Sequence, residues 1–353
     1  MTVTDDRSGL PAARTFNPAV TVCAIILAAA ALHFGQAVFA PIAFAVFIIA
    51  IVWPLQLALQ SKMPKFLALL ITVIATVGGI VLIVSLMAWG FSVVGRWFVA
   101  NVAQFQDIYT RSTDWLETHG LYIAGPLAEK FNMSWLVRFL QGVAQSLSGL
   151  IGFGVLIFIY VIIGLLEVEE CAVRLQRIEA SRRSMGLVGT AKSIAAKFRR
   201  YMFVRSLASL LTGTVVWIFA LGVGLELASA WGVIAFTLNF IPFLGPLVAT
   251  ALPTLFALAQ FGSWEMALAV LAGLTLVQFL IGNYLEPLFA GAALSLSPFA
   301  VIFAVFLWSF LWGIPGVFIG VPVLIATAAI CERLPSARWV SVLLTKGPAT
   351  ASP

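Results

Sequence analysis

Residues 238–246 read LNFIPFLGP, an asparagine and two prolines inside an otherwise apolar run. Proline removes a backbone donor and breaks a helix, and a polar amide is costly in lipid, so this stretch decides what element carries it. The run around it, Trp231 to Ala259, would be about 43 Å long as one helix, against a bilayer core of ~30 Å. A second run, Phe299 to Ile330, would reach about 48 Å and is broken at residues 312–316, WGIPG. Two half-length helices joined at a tip fit both runs, with proline ending one arm and glycine permitting a tight reversal. The reading is a pair of re-entrant helical hairpins, whose freed backbone groups must be buried in protein or line a wet cavity. The alternative is two long tilted helices kinked at proline. Charge does not separate the two, because either arrangement leaves the C-terminus on the same side.

The rest of the chain is equally apolar. Of its 353 residues 62% are hydrophobic and 10% charged, with a mean hydropathy of +1.07, which excludes a soluble globular domain. Further apolar segments lie at Val20 to Phe34, Ala37 to Trp53, Phe66 to Trp89, Leu147 to Leu166, Leu207 to Leu225 and Met266 to Ile281. The fold class is therefore all-α: a polytopic helical integral membrane protein with about eight hydrophobic segments, two of them the hairpins. Long alternating strands are missing from the pattern, which gives a barrel no support. The first apolar segment reads as an uncleaved anchor, since others follow at once. Cys23, Cys171 and Cys331 fit neither a disulfide framework nor a metal site, and no cofactor is expected.

Charge gives an orientation. With a cytosolic N-terminus, Arg7, Arg14, Lys62, Lys65, the run from Arg174 to Arg205, Arg333, Arg338 and Lys346 all face the cytosol. Arg96, Arg111, Lys130 and Arg138 remain outside, an asymmetry that follows the positive-inside rule. The basic surplus is thereby assigned to topology and to anionic headgroups of the lipid bilayer, with no nucleic-acid partner. Residues 1–90 read as a tail and three scaffold helices, and 91–146 as an extracytoplasmic segment of amphipathic helices joined through HGLYIAGP. Residues 147–205 read as a transmembrane helix and a basic cytoplasmic amphipathic segment, 206–331 as a transport half with the two broken hairpins, and 332–353 as a cytoplasmic tail.

Between Ser206 and Cys331 there is no Lys, Arg, Asp or His, and the acids are Glu226, Glu265 and Glu286. Glu226 ends a span and Glu265 sits in the FGSWEM turn, so both read as interfacial. Glu286 stands in a weakly apolar connection with Gln278, Asn283, Ser295 and Ser297, and is the functional candidate among the three. Asn239, beside the first tip, supplies an amide donor and acceptor, and helix ends at both tips offer oriented dipoles to a polar ligand. Trp308 and Trp312, one helical turn apart, read as packing or interface residues. No GxxxxGK[ST], HExxH or nucleophile elbow occurs, so neither a built-in ATPase nor a catalytic site is read.

YMFVRSLASLLTG at 201–213, LNFIPFLGPLVA at 238–249 and GNYLEPLFAGAALSLSPFAVIFAVFLWSFLWGIPGVFIGVPV at 282–323 resemble the autoinducer-2 exporter family of PerM-like permeases. The resemblance implies an inner-membrane transporter assembled as a homo-oligomer, a pentamer, exporting a small quorum-sensing molecule by an elevator-like movement of its hairpins. Some relatives are associated instead with sodium or lithium for proton exchange. The carry-over falls on Asn239, Pro242, Gly245 and Pro246, on Asn283, Glu286, Pro287, Gly291, Leu296, Ser297 and Pro298, and on Trp312, Gly313, Gly316 and Pro322. With Gln278 and Pro315 these tips and the Glu286 connection form the expected substrate or ion path. The family commonly carries Arg or Lys directly after Glu-Pro, where this chain has Leu288, which leaves Glu286 without a local cation. The leading reading is export of a small polar metabolite. An antiporter with Glu286 as the exchangeable carboxylate, and a non-transporting scaffold that uses residues 91–146 as a contact surface, are the alternatives.

Overall fold

In the computed structural model, residues 18–101, 103, 104, 110, 118, 134–181, 186–290 and 296–345 are described. The described residues are helical apart from short turns and an isolated antiparallel bridge between Leu296 and Thr345. Helices α1 (Pro18–Phe34), α2 (Gln36–Gln60) and α3 (Lys65–Ala100) are followed by α4 (Ser134–Ser181) and α5 (Leu187–Gly222). Then come α6 (Ala228–Leu238), α7 (Leu244–Phe261), α8 (Trp264–Leu280), a π-helical turn (Ile281–Leu285) and the short α9 (Glu286–Ala290). The chain continues through α10 (Pro298–Trp312), α11 (Ile314–Arg333), a 3-10 turn and α12 (Arg338–Leu344). Among the described residues, seven helices are long and apolar enough to cross a membrane, and the shorter α6 and α10 are apolar as well. The protein is an all-α polytopic membrane protein.

Both broken runs fold back. In the first, Trp231 on α6 meets Phe256 on α7 edge to face, with ring centroids 5.2 Å apart. At the open end the Glu226 amide donates to Gln260 Oε1 at 2.8 Å, and Gln260 Nε2 donates to the Gly224 carbonyl at 2.8 Å. At the closed end Gly245 lies so close to the Leu238 carbonyl that any Cβ there would overlap it. The second run repeats this device: Gly316, in the first turn of α11, admits the Trp308 carbonyl of α10 in the same way, and one turn on Gly320 faces Ala304. At 11 and 15 residues, α6 and α10 rise only about 16 and 22 Å, well short of a ~30 Å core. The hairpins thus replace the alternative of two long kinked spans.

The tips differ in how they turn. Gly313 makes the second reversal alone, at φ 63°, ψ −138°, a conformation open to glycine, and Pro315 follows in the first turn of α11 where no amide hydrogen is needed. At the first tip the positive φ falls on Phe243 (φ 63°, ψ −54°), and the Leu244 amide donates to the Pro242 carbonyl at 2.7 Å. This is a γ-turn of the rare, strained hand. The sequence pointed to glycine as the residue of reversal there, whereas Gly245 serves close approach and Phe243 carries the strain. The tip also satisfies more of its backbone than expected: the amides of Asn239, Ile241, Gly245 and Leu247 all bond to nearby carbonyls.

Helix α5 is the post on which both hairpins are mounted. Its N-terminal half packs through Ile194, Phe198 and Tyr201 against Val305, Val321 and Ile325 of hairpin two. Its C-terminal half packs on α6, with Gly213 and Gly232 facing each other at the crossing. Helix α3 runs unbroken to Ala100, and Phe98, read as part of an outer amphipathic helix, is buried with Trp231 and Phe256. The expected boundaries at 90/91, 146/147 and 205/206 fall inside α3, α4 and α5. Half of the outer segment, including HGLYIAGP, lies outside the described residues.

If the first run folds back, its two ends share one side of the membrane. Single cysteines in place of Glu226 and Gly262 are therefore expected to react with a membrane-impermeant maleimide added from the same side of oriented vesicles. Labelling from opposite sides would remove the hairpin.

Candidate functional site

The residues with the most chemistry to offer meet on one face of α5. Tyr201, Arg205, Ser209 and Thr212 follow one another at helical spacing, so their side chains line a single stripe. Arg205 is 7% exposed, and Ser209 and Thr212 are 0% exposed. Two groups from elsewhere in the chain close on this stripe. The Arg205 Nη1 donates to Glu286 Oε1 at 2.6 Å, a charge-assisted bond between α5 and the first residue of α9. Asn239, at the first tip and also buried, donates through Nδ2 to Ser209 Oγ at 3.2 Å.

Glu286 has no cation beside it in the sequence, and the structure supplies one from elsewhere in the chain. Its partner lies 81 residues earlier in the chain, on a residue that the charge tally placed with the cytosolic basic run. Helix α5 carries the chain on past Arg200 without a break, and Arg205 turns to the buried face, where a lone guanidinium would be prohibitively costly. Sequence reasoning missed the pair because a helix that starts as a basic surface element and continues as a span shows no boundary in composition. A spacing signal was present: Arg205 sits four residues before Ser209 and seven before Thr212, on the same face.

The segment that delivers Glu286 is irregular. Helix α8 begins at a Ser263 cap, whose hydroxyl accepts from the Met266 amide and donates to Glu265, which leaves Glu265 a local, exposed role. It ends in the π turn Ile281–Leu285, an extra residue per turn that resets which side the following residues face. Asn283 is exposed in that turn and donates back to the Phe279 carbonyl at 3.2 Å. Gln278 is half-buried on α8. Arg200 reaches from α5 to the Phe289 carbonyl at 2.5 Å, so two arginines of α5 hold α9 at its two ends.

The remaining candidates fall in two other places. Pro242 and Gly245 are buried and Pro246 half-buried at the first tip, close to Asn239. Trp312, Gly313, Pro315 and Gly316 form the second tip, which docks on α1 and α2. There Trp312 Nε1 donates to the Leu32 carbonyl at 2.9 Å, His33 Nδ1 lies 3.0 Å from the Leu311 carbonyl, and Trp312 packs with Ala40 and Ile319. His33, near the end of α1, is thus an anchor of the second tip. Ser297 stands at the base of hairpin two, where its amide donates to the Leu344 carbonyl at 2.9 Å. Glu226 takes the Trp97 indole hydrogen at 3.2 Å and is structural. Ser295 and Gly291 lie outside the described residues. The structure therefore gathers Asn239 and Glu286 on α5 and sets Trp312 and its neighbours apart on α1 and α2.

A model of the AI-2E family transporter matches residues 22–336, which takes in the hairpins, α5 and the Glu286 segment. The chain belongs to this family. It is 26% identical over 323 residues to the AI-2 transport protein TqsA of Escherichia coli K12, covering 91% of this chain and 93% of that one. A Borreliella burgdorferi protein assigned, without a substrate, to transport is 26% identical over 327 residues, 91% of this chain and 88% of its own. The similarly assigned YhhT of Escherichia coli K12 is 23% identical over 332 residues, 92% and 93% of the two chains. The protein is a multi-pass membrane transporter.

Breaking the pair on one side leaves a buried guanidinium without its counter-charge. Glu286→Gln is expected to lower stability in nanodiscs by on the order of 3 kcal/mol, and Arg205→Met added to it to recover much of that loss. Thermal unfolding of the two single variants and the double variant measures the coupling.

Proposed function

We propose that this protein is a secondary transporter of the inner membrane that exports a small polar metabolite, a quorum-sensing signal of the autoinducer-2 type. The observation that carries the proposal is the mounting of both fold-back hairpins on α5, with the first tip hooked to the polar stripe by Asn239 and Ser209. A hairpin with one arm too short to cross the bilayer is an element that can move past a fixed scaffold. An elevator-like step of this kind is eased by a tip that meets much of its own backbone need, and the amides of Ile241, Leu244, Gly245 and Leu247 bond within the tip. The relative named as an AI-2 transport protein supports the substrate assignment. The strong inside bias of Lys and Arg supports cytosolic termini. Assembly as a homo-oligomer, a pentamer, belongs to the same proposal.

Glu286 bears on the antiporter alternative. A monovalent cation at its carboxylate would have to displace the Arg205 guanidinium and strand that charge in a buried position. A neutral substrate imposes no such cost, which favours metabolite export over sodium or lithium exchange.

In proteoliposomes, Asn239→Ala is expected to slow flux of the autoinducer-2 signal by about tenfold or more, the loss of a buried amide that both donates and accepts. Unchanged flux would overturn the assignment of the first tip. Addition of sodium or lithium is expected to leave a pH-sensitive dye inside the vesicles unmoved. A response present in the native chain and lost in Glu286→Gln would replace export by exchange.

A further inference from the structure

The segment after α11 reads in the sequence as a tail, yet residues 338–345 fold back onto hairpin two. Helix α11 closes at Arg333, Leu334 is extended (φ −93°, ψ 114°), and Pro335 opens the 3-10 turn that leads into α12. Proline disfavours helix in the residue before it, so the chain changes direction here. Helix α12 then crosses the open end of the hairpin. Its inner face carries Ser341, which is buried, and Leu344, which packs with Ala300, Ala304 and Leu324 of α10 and α11. Just beyond, the backbone clasps the first arm: the Ser297 amide donates to the Leu344 carbonyl at 2.9 Å, and Leu296 pairs with Thr345 in the antiparallel bridge. One short helix therefore ties the exit of α11 to the entry of α10. Its outer face is bare. Trp339, Val342 and Leu343, spaced i, i+3 and i+4, are 66%, 46% and 67% exposed.

We propose that α12 is a docking surface for anionic phospholipid, with Trp339, Val342 and Leu343 entering the bilayer boundary and Arg333 and Arg338 meeting the phosphate headgroups. Depth comes from the neighbouring spans. Helix α11 passes from apolar residues to Glu332 and Arg333 just before the turn, and Glu332 accepts from Lys197 of α5 at 3.3 Å. The clasp thus stands at the level where two spans leave the hydrocarbon. An apolar face at that level lies in the boundary between acyl chains and headgroups, where an indole is at home. Charge names the lipid. From Glu332 to Thr345 the charged residues are Glu332, Arg333 and Arg338. Glu332 is engaged with Lys197, and both arginines are exposed. Two cations beside an exposed apolar face complement a negative headgroup. Lipid seated there bears on hairpin two, because the helix it holds is the one that joins the two ends of that hairpin. This docking stands apart from the identity of the cargo.

The test uses the full chain with Cys23, Cys171 and Cys331 changed to Ser and Leu343→Cys introduced, labelled with bimane. It is placed in vesicles of equal parts phosphatidylglycerol and phosphatidylcholine, in which one lipid or the other carries a nitroxide near the top of its acyl chain. Quenching of the bimane is expected from both lipids, and to be stronger from phosphatidylglycerol by about twofold or more. Arg333→Gln with Arg338→Gln is expected to bring the two lipids level. Arg333→Lys with Arg338→Lys is expected to restore most of the preference, which separates lost charge from a folding fault. Absence of quenching by either lipid overturns the docking, and so does equal quenching before the arginines are changed. A preference that survives the glutamine pair, or is lost in the lysine pair, overturns the assignment of the arginines. Crosslinking of the Leu343→Cys thiols of two chains by a bismaleimide, without quenching, gives the face to a second copy and overturns the lipid.

Discussion

A guanidinium on a membrane-crossing helix, turned away from lipid and buried among other helices, must be met by a carboxylate. Arg205 imposes that condition on the C-terminal half of this protein, and Glu286 answers it at 2.6 Å. The pair fixes more than itself. To bring Glu286 to α5, the chain departs from regular α-helix through the π turn Ile281–Leu285, and Arg200 then secures the far end of α9 at the Phe289 carbonyl. The level of α5 at which this happens lies between the Tyr201 contact with hairpin two and the Ser209 contact with hairpin one. Both moving parts of the proposed cycle are thus referred to the same short section of one helix.

The hairpins solve a shared problem with a shared device. A reversal inside an apolar medium must account for its own backbone groups, because no water is at hand to take them. In each hairpin a glycine in the first turn of the second arm lets the last carbonyls of the first arm come within its missing side chain, and the tip closes tightly. The two then diverge. Hairpin two turns at glycine and is anchored to α1 through Trp312 and His33, while hairpin one turns at a strained Phe243 and its tip reaches α5 through the Asn239–Ser209 bond. Strain stored at the first tip is consistent with a part that moves, whereas the second tip is pinned to α1 by two side-chain contacts to backbone carbonyls.

Membership of the AI-2E transporter family gives this geometry a task without fixing its details. The relatives share most of the length of the chain at 26% and 23% identity. The Arg205–Glu286 pair makes its own buried surroundings neutral.

The sequence by itself determined the membrane class and the number and order of the apolar segments, and it marked the two interrupted runs as hairpins or kinked spans. These follow from local quantities: hydrophobic run length against bilayer thickness, and proline and glycine at the breaks. It also singled out Asn239 and Glu286, because a polar group inside an apolar run is conspicuous without any partner in view. Only the tertiary structure decided what those residues touch. Arg205 pairs with Glu286 across 81 residues, Asn239 with Ser209 across 30, and Trp312 with Leu32 across 280. None of these separations has a periodicity that composition or spacing could register. The strained Phe243 was hidden for a related reason: which residue of a tip takes a positive φ is set by how the two arms pack, once Gly245 is already committed to the Leu238 carbonyl.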